Sequence, residues 1–204
     1  MSGVMTVLGQ YPNIKVVGRQ PGNWDQATGQ KVMSNFLTSL PSIDGVWTQD
    51  GMATGVLTAI QTANPATWPI VSGEARASYL QLWASVAQAH SGFTSFGVVN
   101  PPGSAGTGLR VAVDLLTGTK IDPSALKGTA NNTLFIPIPF IVDKTNFDAQ
   151  YAFVKNLPAS YTLDGILSQD QVTQLMAGKL TVTEPVASTP EATAAATMAA
   201  TAAQ

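Results

Sequence analysis

IDGVWTQDGMATGVLTAI, residues 43–60, holds one full round of the pattern that decides the fold. A short apolar run, 43–48, ends at Asp50 and Gly51, and Ala53, Val56, Leu57 and Ile60 then recur at helical spacing. The alternation extends in both directions. IKVVG (14–18) reads as a strand, and Met33, Phe36, Leu37 and Leu40 mark the helix after it. PIVSG (69–73) precedes Tyr79, Leu80, Trp83, Val86 and Ala87, while SFGVV (95–99) precedes Leu109, Ala112, Val113 and Leu116. A fifth extended run, TLFIPIPFIV (133–142), contains Pro137 and Pro139, which push it toward a sheet edge or a crossing segment.

Short strands alternating with helices of about 10–15 residues imply βαβ units. The strands are continuously apolar, as expected when both faces of a sheet are covered. The fold class is therefore α/β, an open parallel sheet with helices on both faces. Trp47 and Trp83 fall on buried periods and read as core. Residues 144–179 carry a mixed pattern that suggests two small helices around the turn at Pro158. From about Leu180 the chain is Ala/Thr-rich and without aromatics, so it has little apolar surface to offset the entropy of ordering. A disordered tail over 180–204 is the expectation.

Composition narrows the function. With 204 residues, 45% of them hydrophobic and 11% charged, the chain can bury a sizeable core. A net charge of −2 and the lack of any Lys/Arg cluster give no footprint for nucleic acid. Without cysteine there is no disulfide or thiolate metal site, and the single histidine, His90, suits neither a Ser-His-Asp triad nor a zinc site. No apolar run reaches the roughly 18 residues of a membrane span. No secretory leader is visible, and the chain opens on an amphipathic helical fragment with Val4, Met5 and Leu8 on one side.

Ligands of open α/β sheets sit outside the carboxyl ends of the strands. The residues there are Asp50, Glu74 and Asn100, with Trp24 in the loop GRQPGNWD (18–25), and successive members lie 24 to 26 residues apart, one βα unit each. Each has a plainer alternative. Asp50 and Asn100 could cap helices, Glu74 could be a first-turn acid at a helix dipole, and Trp24 could pack against its own loop. Asp25 reads as the cap of a helix over 26–40. GSAGTG (103–108) lacks the Lys-Ser/Thr ending of a phosphate loop and reads as the start of a helix. His90, Asp114 and Lys120 read as exposed surface. Two carboxylates, an amide and an indole without a basic cluster suit a neutral polyol: the polar groups bond adjacent hydroxyls and the indole covers the apolar side of a sugar ring. Nothing in the pattern asks for a cofactor or a metal.

YPNIKVVGRQPGNWDQATGQKVMSNFLTSLPSIDGVWTQDGMATGVLTAIQTAN (11–64), PIVSGEA (69–75) and FTSFGVVNPPGSAGTGLRVAVDLLTGTKI (93–121) together resemble the type I periplasmic sugar-binding proteins, the ribose-binding-like solute receptors of ABC transporters. The resemblance implies two α/β lobes joined by a hinge and closing on a neutral monosaccharide-like ligand, without catalysis. It implies an ABC permease as partner and a periplasmic, extracellular or lipid-anchored location. On the family pattern Trp24 falls at the stacking aromatic, Asp50 at the amide or acid ending the next strand, Glu74 where Asp is usual, and Asn100 where Gln is frequent. Asp50-Gly51 stands where Asn-Asp is common, with one residue missing.

Met1 aligns inside the first helix of the second lobe, so the resemblance implies an N-terminally truncated receptor. Residues 1–100 would form the C-terminal-type sugar-binding lobe lacking its first strand. Residues 101–142 would supply hinge crossings and a helix belonging with the absent lobe, and 143–179 a small helical extension. Half the pocket would then be missing and sugar binding by the chain alone would be weak or absent. Two other classes compete: the sugar-sensing effector domain of a LacI-type transcription regulator, and an α/β enzyme using Asp50 and Glu74 as an acid/base pair.

Overall fold

A computed structural model describes residues 2–99, 103–136, 141–163 and 166–180, with Ser2 and Asp50 described by their backbone alone. Four strands form one sheet in the order β1 (Gly45–Trp47), β2 (Ile70–Glu74), β3 (Ser95–Val98) and β4 (Ile141–Val142). The first three are parallel and β4 pairs antiparallel with β3. The sheet is therefore mixed, because β4, the end of the fifth extended run, lies antiparallel beside β3. Residues 137–140, which include both of its prolines, lie outside the described residues, as does the Ala/Thr-rich stretch from 181.

Among the described residues seven helices accompany the strands: α1 (Ser2–Leu8), α2 (Gln26–Ser39), α3 (Ala53–Ala63), α4 (Ala77–Ala89), α5 (Ser104–Leu116), α6 (Phe147–Val154) and α7 (Gln169–Met176). α2, α3, α4 and α6 pack side by side, and α3 and α4 lie against the strands. Both belong to crossovers running the same way across the sheet, so right-handed connection puts them on one side. The main core joins that layer to the sheet through Leu57 and Ile60 of α3, Val71 of β2, and Tyr79, Leu80 and Val86 of α4. Trp83 belongs to it and meets Phe147 of α6 with ring centroids 4.2 Å apart. A second, smaller cluster of Leu167, Val172, Leu175 and Met176 sits between α7 and α5.

Four expectations need correction. Residues 14–18 are not a strand: they take no place in the sheet, which ends at β1 among the described residues, and Ile14, Val16 and Val17 stay about half exposed. Apolar composition makes a strand only where a neighbouring edge accepts its backbone bonds. Trp47 is 42% exposed and not core, because β1 ends the described sheet and alternate residues point away from α3 and α4. Ile70 and Ile141 are likewise about half exposed, whereas Val71, Ser72 and Glu74 of the inner strand are buried on both its faces. Asp114 is not simply solvated: it is half-buried and accepts from Gln169 Nε2 at 2.8 and 3.0 Å, which ties α5 to α7. His90 is half-buried as well, stacked on Trp68 at 4.2 Å.

Two local features fix the layer. Asp25 is the N-cap of α2, as its position suggests, and its Oδ1 accepts from the Thr28 amide at 2.8 Å and the Thr28 hydroxyl at 2.6 Å. Those bonds hold its carboxyl below the ordinary 3.8. A native pKa depressed below the unfolded value contributes stability above the unfolded pKa and loses it as pH falls through the native one. Asp25→Ala should therefore lower the melting temperature at neutral pH, and the gap from the parent protein should close as the pH is taken below the normal aspartate range in a thermal-denaturation series.

Tyr79 is fully buried in α4, its hydroxyl 2.6 Å from Ser95 Oγ, and Ser95 Oγ donates to the Val71 carbonyl at 2.8 Å. Since the serine proton goes to Val71, the phenol is the donor to Ser95. Burial pushes the phenol well above its normal range, with the Ser95 bond acting the other way, so it stays protonated at any working pH. Tyr79→Phe should cost about 1–2 kcal/mol by urea denaturation with an unchanged m-value, the usual loss of one buried neutral hydrogen bond.

Candidate functional site

Parallel pairing brings the strand ends to one rim. Trp47, Ser72 and Phe96 lie in register across β1, β2 and β3, and Glu74, the last residue of β2, pairs with Val98 of β3. The positions after each strand therefore emerge side by side. Asp50 opens a 3-10 turn, Asp50–Met52, that leads into α3, whose N-cap position is occupied by Met52. Asn100 follows β3 by two residues and lies outside the described residues. Thr48, just past β1, is buried and donates to the Ser72 carbonyl at 2.9 Å, which ties the ends of β1 and β2 together.

Glu74 is not a first-turn acid, because α4 starts three residues later at Ala77. It is 2% exposed, and Arg76 Nε lies 2.9 Å from its Oε1. A carboxylate so far from water needs such a partner. Arg76 is extended and bridges Thr162, while Ala77 N donates to Tyr161 O at 2.8 Å and Leu163 N to Ala75 O at 3.0 Å. Residues 161–163 thus form a short antiparallel border along the rim beside Glu74.

Trp24 does not pack into its loop. It is 66% exposed, and both it and Asn23 hold left-handed backbone, φ 54° and 55°. For a bulky residue that conformation is an outlier, of order 1–3 kcal/mol, and such strain concentrates at ligand clamps. The loop is held against the end of β1: a Cβ on Gly51 would stand 2.8 Å from the Trp24 carbonyl oxygen. Gly51 is what lets the Trp24 loop approach the Asp50 turn. The site therefore brings Trp24, the Asp50 backbone and Glu74 to one edge of the sheet. Arg76 and the strained Asn23-Trp24 pair escaped the sequence reading, since their signal is in backbone angles and a contact, not in spacing. Among the described residues no group of His, Cys, Asp and Glu side chains could hold a metal ion.

An open, largely parallel sheet with its polar rim at the strand ends defines a ligand-binding α/β lobe. The family model described as periplasmic binding protein domain matches residues 1–120, and the chain belongs to that family. It is 39% identical over 71 residues to a xylitol-binding protein of Mycolicibacterium smegmatis, a match covering 34% of this chain and 20% of that one. It is 33% identical over 113 residues to a ribose import binding protein of Salmonella typhimurium, covering 52% and 34%. The crystal structure of an ABC transporter solute binding protein from Thermobispora bispora superposes with a TM-score of 0.62 at 22% identity, covering 85% of this chain and 48% of that one. The chain thus spans a fifth to a third of these curated relatives and about half of the solved structure.

Gly51→Ala should displace the Trp24 loop, since the clash is with backbone and not with a side chain that can turn aside. A cost of about 1–3 kcal/mol is expected from such overpacking. The Trp24 indole N–H resonance should shift more than those of Trp68 and Trp83, as read in a nitrogen–proton correlation spectrum.

Proposed function

We propose that the chain is a binding module, the sugar-contacting lobe of a solute-binding component of an ABC transporter, acting without turnover. The observation that carries the reading is Trp24, a large indole kept in solvent on strained backbone beside the carboxyl ends of the strands. An aromatic face left in water at that cost suits the apolar side of a sugar ring. Glu74 supplies a charge-paired acceptor, and Asp50 and Asn100, whose side chains are not described, complete the proposed ligand set. The ligand is a neutral polyol or monosaccharide of the kind that the xylitol- and ribose-binding relatives are named for. A permease partner and a periplasmic or extracellular location belong to the same proposal, with family membership as their support.

The test is a titration of the chain with D-ribose and xylitol followed by chemical-shift changes, a method that registers weak complexes. The expected result is movement of the Trp24 indole signal with either sugar, and a loss of about 1–3 kcal/mol in Trp24→Ala, roughly 5–150-fold in affinity. An affinity unchanged in Trp24→Ala removes that residue from the site.

A further inference from the structure

Met52 stands at the N-cap position of α3 in helical backbone and makes no side-chain cap bond there. Helix starts favour Ser, Thr, Asp or Asn, whose oxygens accept from free amides, and a thioether is no substitute for them. Its side chain is used elsewhere. A Cβ on Gly22 would overlap the Met52 sulfur, and a Cβ on Gly29 would lie 3.0 Å from Met52 Cβ. Gly22 and Gly29 are both buried and neither has positive φ, so the backbone there does not demand glycine; the methionine does.

Gly22 begins the turn that carries Trp24. Asp25 N donates to Gly22 O at 3.0 Å, and the central residues Asn23 and Trp24 both have positive φ, as in a type I′ turn. That turn meets the Asp50–Met52 turn at two points, the Met52 sulfur against Gly22 and Gly51 against the Trp24 carbonyl oxygen. Just beyond, a Cβ on Gly55 of α3 would overlap the Gln26 carbonyl oxygen, so the start of α2 is seated on α3 as well. A flexible thioether suits an irregular gap of this kind.

We propose that Met52 is a positioning residue: it fills the space left by Gly22 and Gly29 and so holds the Trp24 turn against the Asp50–Met52 turn, keeping the indole in place for a sugar ring. The proposal rests on the reading of the rim as a sugar site. Met52 acts through Trp24 and not by touching the ligand. Strained backbone persists only where its surroundings over-determine it, and without the thioether the turn has one anchor fewer against relaxing to ordinary φ.

The test compares Met52→Ala, Met52→Leu, Gly22→Ala and the Gly22→Ala/Met52→Ala double variant with the parent chain. Without sugar, the Trp24 indole N–H signal should move in Met52→Ala more than those of Trp68 and Trp83. It should stay near the parent position in Met52→Leu, which keeps the volume. With D-ribose or xylitol, affinity should fall by roughly fivefold or more in Met52→Ala and by less than about twofold in Met52→Leu. Gly22→Ala should displace the Trp24 signal too, and the double variant should bring it back toward the parent, because the added methyl enters the space that the side chain vacates. A Trp24 signal unmoved in Met52→Ala, or a double variant no nearer the parent than either single change, overturns the proposal. If Met52→Ala does not fold, Gly22→Ala decides alone: a displaced Trp24 signal supports the proposal and an unmoved one overturns it. Displacement of Trp24 with neither sugar bound by any form overturns the sugar-site reading and supports only the hold on the turn. Sugar binding with an affinity unchanged in Met52→Ala overturns the part of Met52 in the site.

Discussion

The contact on which the rest of the fold depends is the passage of the Tyr79 ring over Gly73. A Cβ on Gly73 would sit 2.0 Å from that ring, so the strand carries no side chain where the helix crosses it. Beyond the glycine the phenol donates to Ser95 on the neighbouring strand, and Ser95 in turn donates to Val71. One side chain therefore sets the height of α4 above β2 and its position across the β2–β3 pair. Each polar atom of this Tyr79–Ser95–Val71 relay has a partner, which is what makes a buried phenol tolerable in an apolar layer. Glu74 is the next residue after Gly73, so its place at the rim is inherited from this packing.

The rim shows two kinds of tension that the core does not. Trp24 stands in solvent on left-handed backbone, and Glu74 is a carboxylate taken out of water. Both arrangements cost stability, and neither contributes to the packing of the layer. Their coincidence at the carboxyl ends of parallel strands, where open α/β sheets bind ligands, is the ground for the proposed site. The well-satisfied interior supports the unfavourable edge: Thr48 bonded to Ser72, Tyr79 to Ser95, and Asp25 capping the helix after the strained loop.

Much of the architecture was legible in apolar periodicity. The helices after residues 25, 52 and 76, the three parallel strands and the cap at Asp25 all follow from local pattern, because each element is chosen by which residues its own geometry can bury. The failures share one cause. IKVVG has strand composition yet takes no place in the sheet, Trp47 has a core period yet lies at the sheet's end, and Asp114 has a surface period yet meets Gln169. Each depends on what stands next to it in space. A residue's own side chain and spacing carry no information about that.

The candidate site divides the same way. The positions of Asp50 and Glu74, at the ends of apolar strands, were readable because a parallel sheet delivers every strand's end to one edge. The sequence by itself determined an α/β chain with a polar edge suited to a neutral ligand. Only the tertiary structure decided that Gly51 admits the Trp24 carbonyl, that Trp24 is held exposed at positive φ, and that Glu74 is buried against Arg76. Those facts are about distances between segments and the water excluded between them, and they come into being only when the layers close.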